Sequence, residues 1–244
     1  MSAKIIALTN QKGGVGKTTT VCALCGVFAS RGKKVLAIDL DPQGNLSFSL
    51  GASMEGVTIH DVITGRNTFD EAIQRTENCD VVASNILLSG SELELNTAGR
   101  EFILKERYDY ILLDTPPALS ILTINAYVAT DDLIVPMTPE ILSLQGISQL
   151  TDTIMAVKKY YNKSLNVRGI LFTKYNSRYL LAREVEDMAE IVARQLESVI
   201  LDTKISHNIQ VAEAPAHQKT LIRYAPNSKA SRDYIKLADE LYGK

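Results

Sequence analysis

The sequence of 244 residues has no tryptophan, three cysteines and seven prolines, and its charges nearly cancel, with 26 Lys and Arg against 28 Asp and Glu. Three cysteines, an odd number, cannot close a disulfide framework, and Met1-Ser2-Ala3-Lys4 lacks the basic and apolar regions of a secretory leader. A reducing cytoplasm is therefore the expected setting. The longest uncharged stretch, Thr115 to Thr130, holds two prolines, Asn125 and several hydroxyls, and is shorter than the roughly 20 apolar residues a membrane span needs. No transmembrane segment is expected. A net charge of −2 excludes a globally basic chain, so any nucleic-acid surface has to be a local patch.

What is present is a 45% hydrophobic chain without repeats or low-complexity tracts, in which apolar runs alternate with longer amphipathic stretches. That alternation predicts strands at Ile5 to Thr9, Lys34 to Asp39, Asp80 to Ala83, Tyr110 to Asp114, Asp132 to Pro136 and Val167 to Thr173, with a short seventh at Val199 to Leu201. Helices are predicted at Lys17 to Ser30, Glu92 to Lys105, Ser120 to Ala129, Leu144 to Tyr161, Leu181 to Glu197 and Ala230 to Tyr242. The strands are rich in Val, Ile and Leu and lack period-two alternation, as expected when helices cover both sheet faces. The fold class is α/β: a doubly wound, mostly parallel sheet in one domain spanning 1–244, with Gly44 to Asn78 as its least regular part.

Directly after the first strand comes Gln11-Lys12-Gly13-Gly14-Val15-Gly16-Lys17-Thr18-Thr19, running into an apolar helix. Glycines let successive N–H groups approach a polyphosphate, and the helix N-terminus adds positive potential. Lys17 can reach the outer phosphates and Thr18 can offer its hydroxyl to Mg²⁺. The second strand ends in Asp39-Leu40-Asp41-Pro42-Gln43-Gly44-Asn45, with two carboxylates at alternate positions facing the crevice where parallel sheets bind ligands. The strand Tyr110 to Asp114 ends in one acid, followed by Thr115-Pro116-Pro117, and Asp114 can hold Mg²⁺ directly or through water.

These motifs resemble those of the ParA/Soj and MinD family of P-loop ATPases, whose deviant Walker A loop reads K-G-G-x-G-K-[ST] and whose second motif reads D-x-D-P-Q-G-N. The resemblance extends over nearly the whole chain, to Val211-Ala212-Glu213-Ala214-Pro215 near its end. It implies ATP and ADP with Mg²⁺ as ligands, Lys12 reaching the phosphates of nucleotide held by a second subunit, and Asp41 orienting the attacking water. It further implies Thr18, Asp39 and Asp114 around the metal, Thr115-Pro116-Pro117 as a nucleotide-sensing switch, and Asn176 and Pro215 near the adenine. The implied function is DNA partitioning: an ATP-dependent homodimer that binds DNA non-specifically, associates with the nucleoid when ATP-bound, and hydrolyses ATP when a ParB-like activator stimulates it. A positioning ATPase for a protein cargo and a MinD-like membrane-surface switch are the alternatives.

Departures from the family pattern shape these expectations. The first strand opens at once, so no helix-turn-helix domain is expected before it. The final residues, Leu237 to Lys244, lack a basic amphipathic tail, so membrane attachment is not expected. An arginine-bearing segment of Soj-like proteins is replaced by Ser206-His207-Asn208-Ile209-Gln210. Against that loss, no acid lies between Asp152 and Glu184, while Lys158, Lys159, Lys163, Arg168, Lys174, Arg178 and Arg183 are basic. Lys174, Arg178, Lys204, Lys219, Arg223, Lys229 and Arg232 are the candidate DNA contacts, of the non-specific, salt-sensitive kind. Cys22-x-x-Cys25 raises iron–sulfur chemistry as in nitrogenase iron protein. Spacing i, i+3 within the first helix and the lack of any cysteine after Asp114 favour core packing instead.

Overall fold

The structure, a computed structural model, describes residues 2–93, 106–177 and 180–243. A seven-stranded sheet is built from β1 (Lys4–Leu8), β2 (Val35–Asp39), β3 (Ile73–Arg75), β4 (Asp80–Val82), β5 (Tyr110–Asp114), β6 (Asp132–Met137) and β7 (Asn166–Phe172). Its order is β3-β4-β2-β5-β1-β6-β7, and every neighbouring pair is parallel except β3 with β4. The expected doubly wound α/β class is the observed one.

Alternate strand residues feed two cores. Ile5, Ala7, Ile111 and Leu113 face one layer, which includes α5 (Ile121–Ala129), α6 (Ile141–Tyr160) and α7 (Leu180–Gln195). Ile6, Leu8, Leu112 and Ile134 face the other, formed by α1 (Lys17–Ser30), α2 (Asn45–Leu50), α8 (Gln210–Ala216), α9 (Leu221–Tyr224) and α10 (Lys229–Tyr242). Because both faces are covered, the strands read as unbroken apolar runs. Helix α1 lies nearly wholly buried between sheet and α10, including the thiols of Cys22 and Cys25. Burial pushes both thiols up from their ordinary range and leaves them as packing groups rather than nucleophiles.

The structure corrects several boundaries. Val199 to Leu201 is no strand: it makes one isolated bridge, Ile170 to Ile200, with Ile170 N–H donating to Val199 O and Leu201 N–H to Ile170 O. Pairing ends there because the Asp202 and Thr203 amides turn to the Glu240 carboxylate at 2.8 and 2.9 Å. The seventh strand is instead β3, and the stretch read as irregular also carries α2, α3 (Ile59–Ile63) and α4 (Phe69–Ala72). Helix α6 starts three residues earlier than predicted. Of the expected helix Glu92 to Lys105, residues 94–105 lie outside the described residues, and its start closes a 3₁₀ helix over Ile86–Leu93.

Candidate nucleotide site

The interior strand β1 delivers the glycine loop to the carboxyl edge of the sheet, with β5 on one side and β6 on the other. Gly14 and Gly16 take φ values of +73° and +93°, which a side chain would strain. A Cβ on Gly16 would also come within 3.4 Å of Thr173 Cγ2. Three side chains clamp the loop. Asn10, itself buried, donates from Nδ2 to Pro136 O at 2.7 Å and accepts from Lys12 N–H at 2.9 Å. Thr173 Oγ1 donates to Val15 O at 2.7 Å, and Thr115 Oγ1 ties β5 to Leu8 O at 2.8 Å.

Inside the loop, Lys17 Nζ donates to Asn10 O at 2.9 Å and Lys12 O at 3.3 Å. Burial lowers its pKa, an effect opposed by the charges of Asp114 and Asp41. An ammonium held on neutral carbonyls in a desolvated loop is set to exchange them for phosphate oxygens.

Thr18 Oγ1 donates to Asp114 Oδ2 at 2.6 Å, while the buried Asp114 Oδ1 has no hydrogen-bond partner. Burial, and next the charge of Asp39, raises the Asp114 pKa well above the carboxylate range. A buried carboxylate with an unsatisfied oxygen beside a hydroxyl is the donor set expected for Mg²⁺, whose other ligands are phosphate oxygens and water. Among the described residues no group of three or more His, Cys, Asp and Glu side chains is placed to hold a metal unaided, which agrees with such a shared site.

Asp39 is held by three hydrogen-bond donors. Its Oδ1 accepts the Asp41 N–H at 3.0 Å, and its Oδ2 accepts the Ser47 N–H at 2.9 Å and the Ser47 hydroxyl at 2.7 Å. Asp39 thereby braces Asp41 and the start of α2. Burial raises its pKa to about 6 in spite of these donors. Asp41 lines the cleft, with its Oδ1 accepting the Gln43 N–H at 3.0 Å.

The cleft holds about 730 Å³. Gly13, Gly14, Gly16, Lys17, Thr18 and Thr19 form one wall. Thr173, Lys174, residues of the 205–215 stretch including Pro215, and Asp41, Phe48 and Pro117 line the cleft as well. Val15 contributes backbone only, since its side chain is buried. Pro215 and Lys174 line the cleft, whereas Asn176 is not among the lining residues. Lys12 turns away from the cleft to Glu140 and Ser143.

The candidate DNA cations do not form one free patch. Lys204 pairs with Glu186 at 2.5 Å and lies 4.7 Å over the Tyr175 ring. Lys229 meets Ser206 Oγ, Arg223 meets Glu77, and Arg232 donates to Asn227 O at 2.8 Å. Lys174 and Lys219 are exposed, and Arg178 lies outside the described residues. Within the basic run, Lys158 pairs with Glu197 and Arg168 with the Leu241 carbonyl. Asn10, Ser47, Glu140 and Ser143 were not legible as site residues. Only Asn10 carried a signal, an Asx residue between a strand and a glycine loop.

A parallel sheet with a glycine loop after an interior strand, a buried lysine in that loop and an acid on the next strand defines a P-loop nucleotide-binding domain. The AAA domain family matches residues 3–167. The chain is similar to the sporulation initiation inhibitor protein Soj of Bacillus subtilis, with 40% identity covering 98% of both chains. It is 37% identical to the chromosome partitioning protein ParA of Caulobacter vibrioides, over 99% of this chain and 94% of that one. The crystal structure of cobyrinic acid a,c-diamide synthase from Mycobacterium smegmatis with bound ADP and magnesium superposes with a TM-score of 0.80. That protein is 33% identical over 99% of this chain and 97% of its own. The chain belongs to the ParA/Soj family of partition ATPases.

Proposed function

We propose that the protein is a Mg²⁺-dependent ATPase of DNA partitioning that cycles between a single subunit and an ATP-bound pair. The observation that carries the catalytic half is Asp114, buried beside the Thr18 hydroxyl with one oxygen unsatisfied, on the strand adjoining the phosphate loop. Bound magnesium would supply charge neutralisation at the phosphates, with Thr18 and Asp114 as its protein donors. Lys17 leaves the Asn10 and Lys12 carbonyls for the outer phosphates. Asp41, fixed by its own turn and by Asp39, positions the attacking water at the cleft rim.

Pairing is supported by the surface around the cleft mouth. Phe48, Leu119, Ile121 and Ile209 are exposed large apolar side chains: Phe48 lines the cleft, Leu119 and Ile121 follow its lining residue Pro117, and Ile209 lies between its lining residues Asn208 and Val211. Exposed apolar side chains beside a ligand cleft mark a face that another protein surface covers. In the paired state Lys12 reaches the nucleotide of the second subunit. Two subunits together double the number of cations offered to a DNA backbone, and Lys174, Lys219, Arg223, Lys229 and Arg232 are the exposed members of the candidate set among the described residues. A ParB-like activator that recognises the pair would trigger hydrolysis.

DNA retention measured with ATP, ADP and no nucleotide across a salt series tests this reading. Retention that requires ATP and weakens steeply with salt is expected. Retention equal in all three conditions, or none, removes DNA from the cycle, and phosphate release without Mg²⁺ equal to that with it removes the metal.

A further inference from the structure

In the single subunit, Lys12 Nζ sits 2.5 Å from Glu140 Oε2 and 3.1 Å from Ser143 Oγ. Ser143 is fully buried, and its hydroxyl also meets Thr138 Oγ1 at 2.9 Å. Glu140 caps α6 and Ser143 lies in its first turn, so one lysine joins the phosphate loop to a helix more than 120 residues later. The Lys12 backbone is itself fixed by Asn10. Lys12 faces the Glu140 carboxyl by hydrogen bond and charge, Thr138 by hydrogen bond and Lys174 by charge; the Lys12 hydrogen bond is foremost in holding it below the usual carboxylate range. An ammonium has three donors, and two are occupied here.

We propose that Glu140, with Ser143, is a latch that retains Lys12 on its own subunit, and that nucleotide-dependent pairing proceeds by exchanging this carboxylate for a phosphate of the second subunit. The proposal rests on the reading of Lys12 as the bridging lysine. A lysine 2.5 Å from a carboxylate cannot also extend to a phosphate outside its subunit, so the latch opens before the bridge closes. Each pair opens two latches, which makes pairing depend on the square of the latch equilibrium. The full charge of a triphosphate draws Lys12 off Glu140 more strongly than a diphosphate does, which biases pairing toward ATP.

The test uses the full chain and its Lys12→Ala, Glu140→Gln and doubly substituted forms. Sedimentation velocity with Mg²⁺ and a non-hydrolysable ATP analogue gives the concentration at which half the protein is paired. Glu140→Gln is expected to pair at roughly fivefold lower protein concentration, two weak exposed ion pairs being removed. Lys12→Ala is expected to remain single, and the double variant to match it, which a merely structural effect of Glu140 would not produce. Pairing of Glu140→Gln at the wild-type concentration while Lys12→Ala stays single overturns the latch alone. Lys12→Ala pairing like wild type overturns the bridging role instead. A second readout needs no nucleotide: amine acetylation of Lys12, followed by mass spectrometry against the exposed Lys236, is expected to be several-fold faster in Glu140→Gln. An unchanged rate there overturns the latch whatever the pairing result.

Discussion

Asp39 and Asp114 are register partners on the adjacent parallel strands β2 and β5, and both side chains are wholly buried. Burial raises both from the normal carboxylate range, Asp39 to about 6 and Asp114 well above its usual value, with the charge of Asp39 adding to the effect on Asp114. The native state therefore keeps protons that the unfolded chain, titrating near 3.9, has already lost. Native stability falls as pH climbs above about 4; the Asp39 share is complete once pH passes about 6, and the Asp114 share grows until pH passes that group's own raised value. In chelator and without nucleotide, the difference in melting temperature between Asp114→Asn and wild type should widen as pH rises from 5 to 8. The variant should melt a few degrees higher at pH 8, an effect on the order of 1–2 kcal/mol. It should also lose the stabilisation that Mg²⁺ adds to bound nucleotide. A difference independent of pH would contradict the assigned cause.

Lys17 and Asp41 share the cleft but act at different stages. Lys17→Ala removes the one ammonium held inside the loop, and nucleotide affinity should fall by at least 100-fold, about 3 kcal/mol. Asp41→Ala leaves the loop and the Thr18–Asp114 pair in place, so titration calorimetry should show affinity within a few-fold of wild type. Its phosphate release should drop by two orders of magnitude or more, and the paired state should persist. Matching hydrolysis by wild type and Asp41→Ala would remove Asp41 from the chemistry.

Asn10 binds no phosphate in this scheme, yet it holds the loop at both ends of its side chain. Asn10→Ala leaves a buried carbonyl of Pro136 and the Lys12 amide without partners, which should destabilise the fold by about 2–3 kcal/mol in urea titrations. The Michaelis constant for ATP should rise more than the turnover number falls. Asn10→Asp retains the acceptor for Lys12 and loses the donor to Pro136, so it should recover part of the affinity. Equal kinetics in all three proteins would show that the loop keeps its shape without the clamp.

The long strands, α1 and the phosphate loop were legible because each is dictated locally, by an apolar run or by glycines at positive φ. Shorter elements were not. Strand β3 has three residues and α9 four, too few for a period to register. Helix α6 begins at Ile141 because Glu140 and Ser143 are drawn to the loop, a contact across the fold that no window contains. The same limit applies at the site. A strand-end acid is visible in sequence, but Ser47, which occupies Asp39, is not, and Lys204 reads as a free cation until Glu186 is placed against it.

Gly26 shows how tightly the phosphate-loop helix is packed against the C-terminal segment. It lies in the middle of α1, where alanine would ordinarily be favoured by about 1 kcal/mol. A Cβ there would meet Thr220 Oγ1 at 2.6 Å and Thr220 Cβ at 2.7 Å. Thr220 cannot retreat easily, because its N–H donates to the Asn78 carboxamide, whose own Nδ2 holds Leu50 O and Gln218 O at 3.1 Å. Overpacking therefore outweighs helix propensity, and Gly26→Ala should destabilise by about 1–3 kcal/mol. Because α8 and Pro215 lie just before Thr220, nucleotide affinity should weaken with it. Thr220→Ala in the same chain removes the hydroxyl and the methyl but not Cβ, so recovery of stability should be partial, and chemical denaturation of the four proteins of this cycle measures it. Gly26→Ala as stable as wild type would mean that α1 and α9 can separate without cost, and the close approach would then have no part in fixing the wall of the cleft.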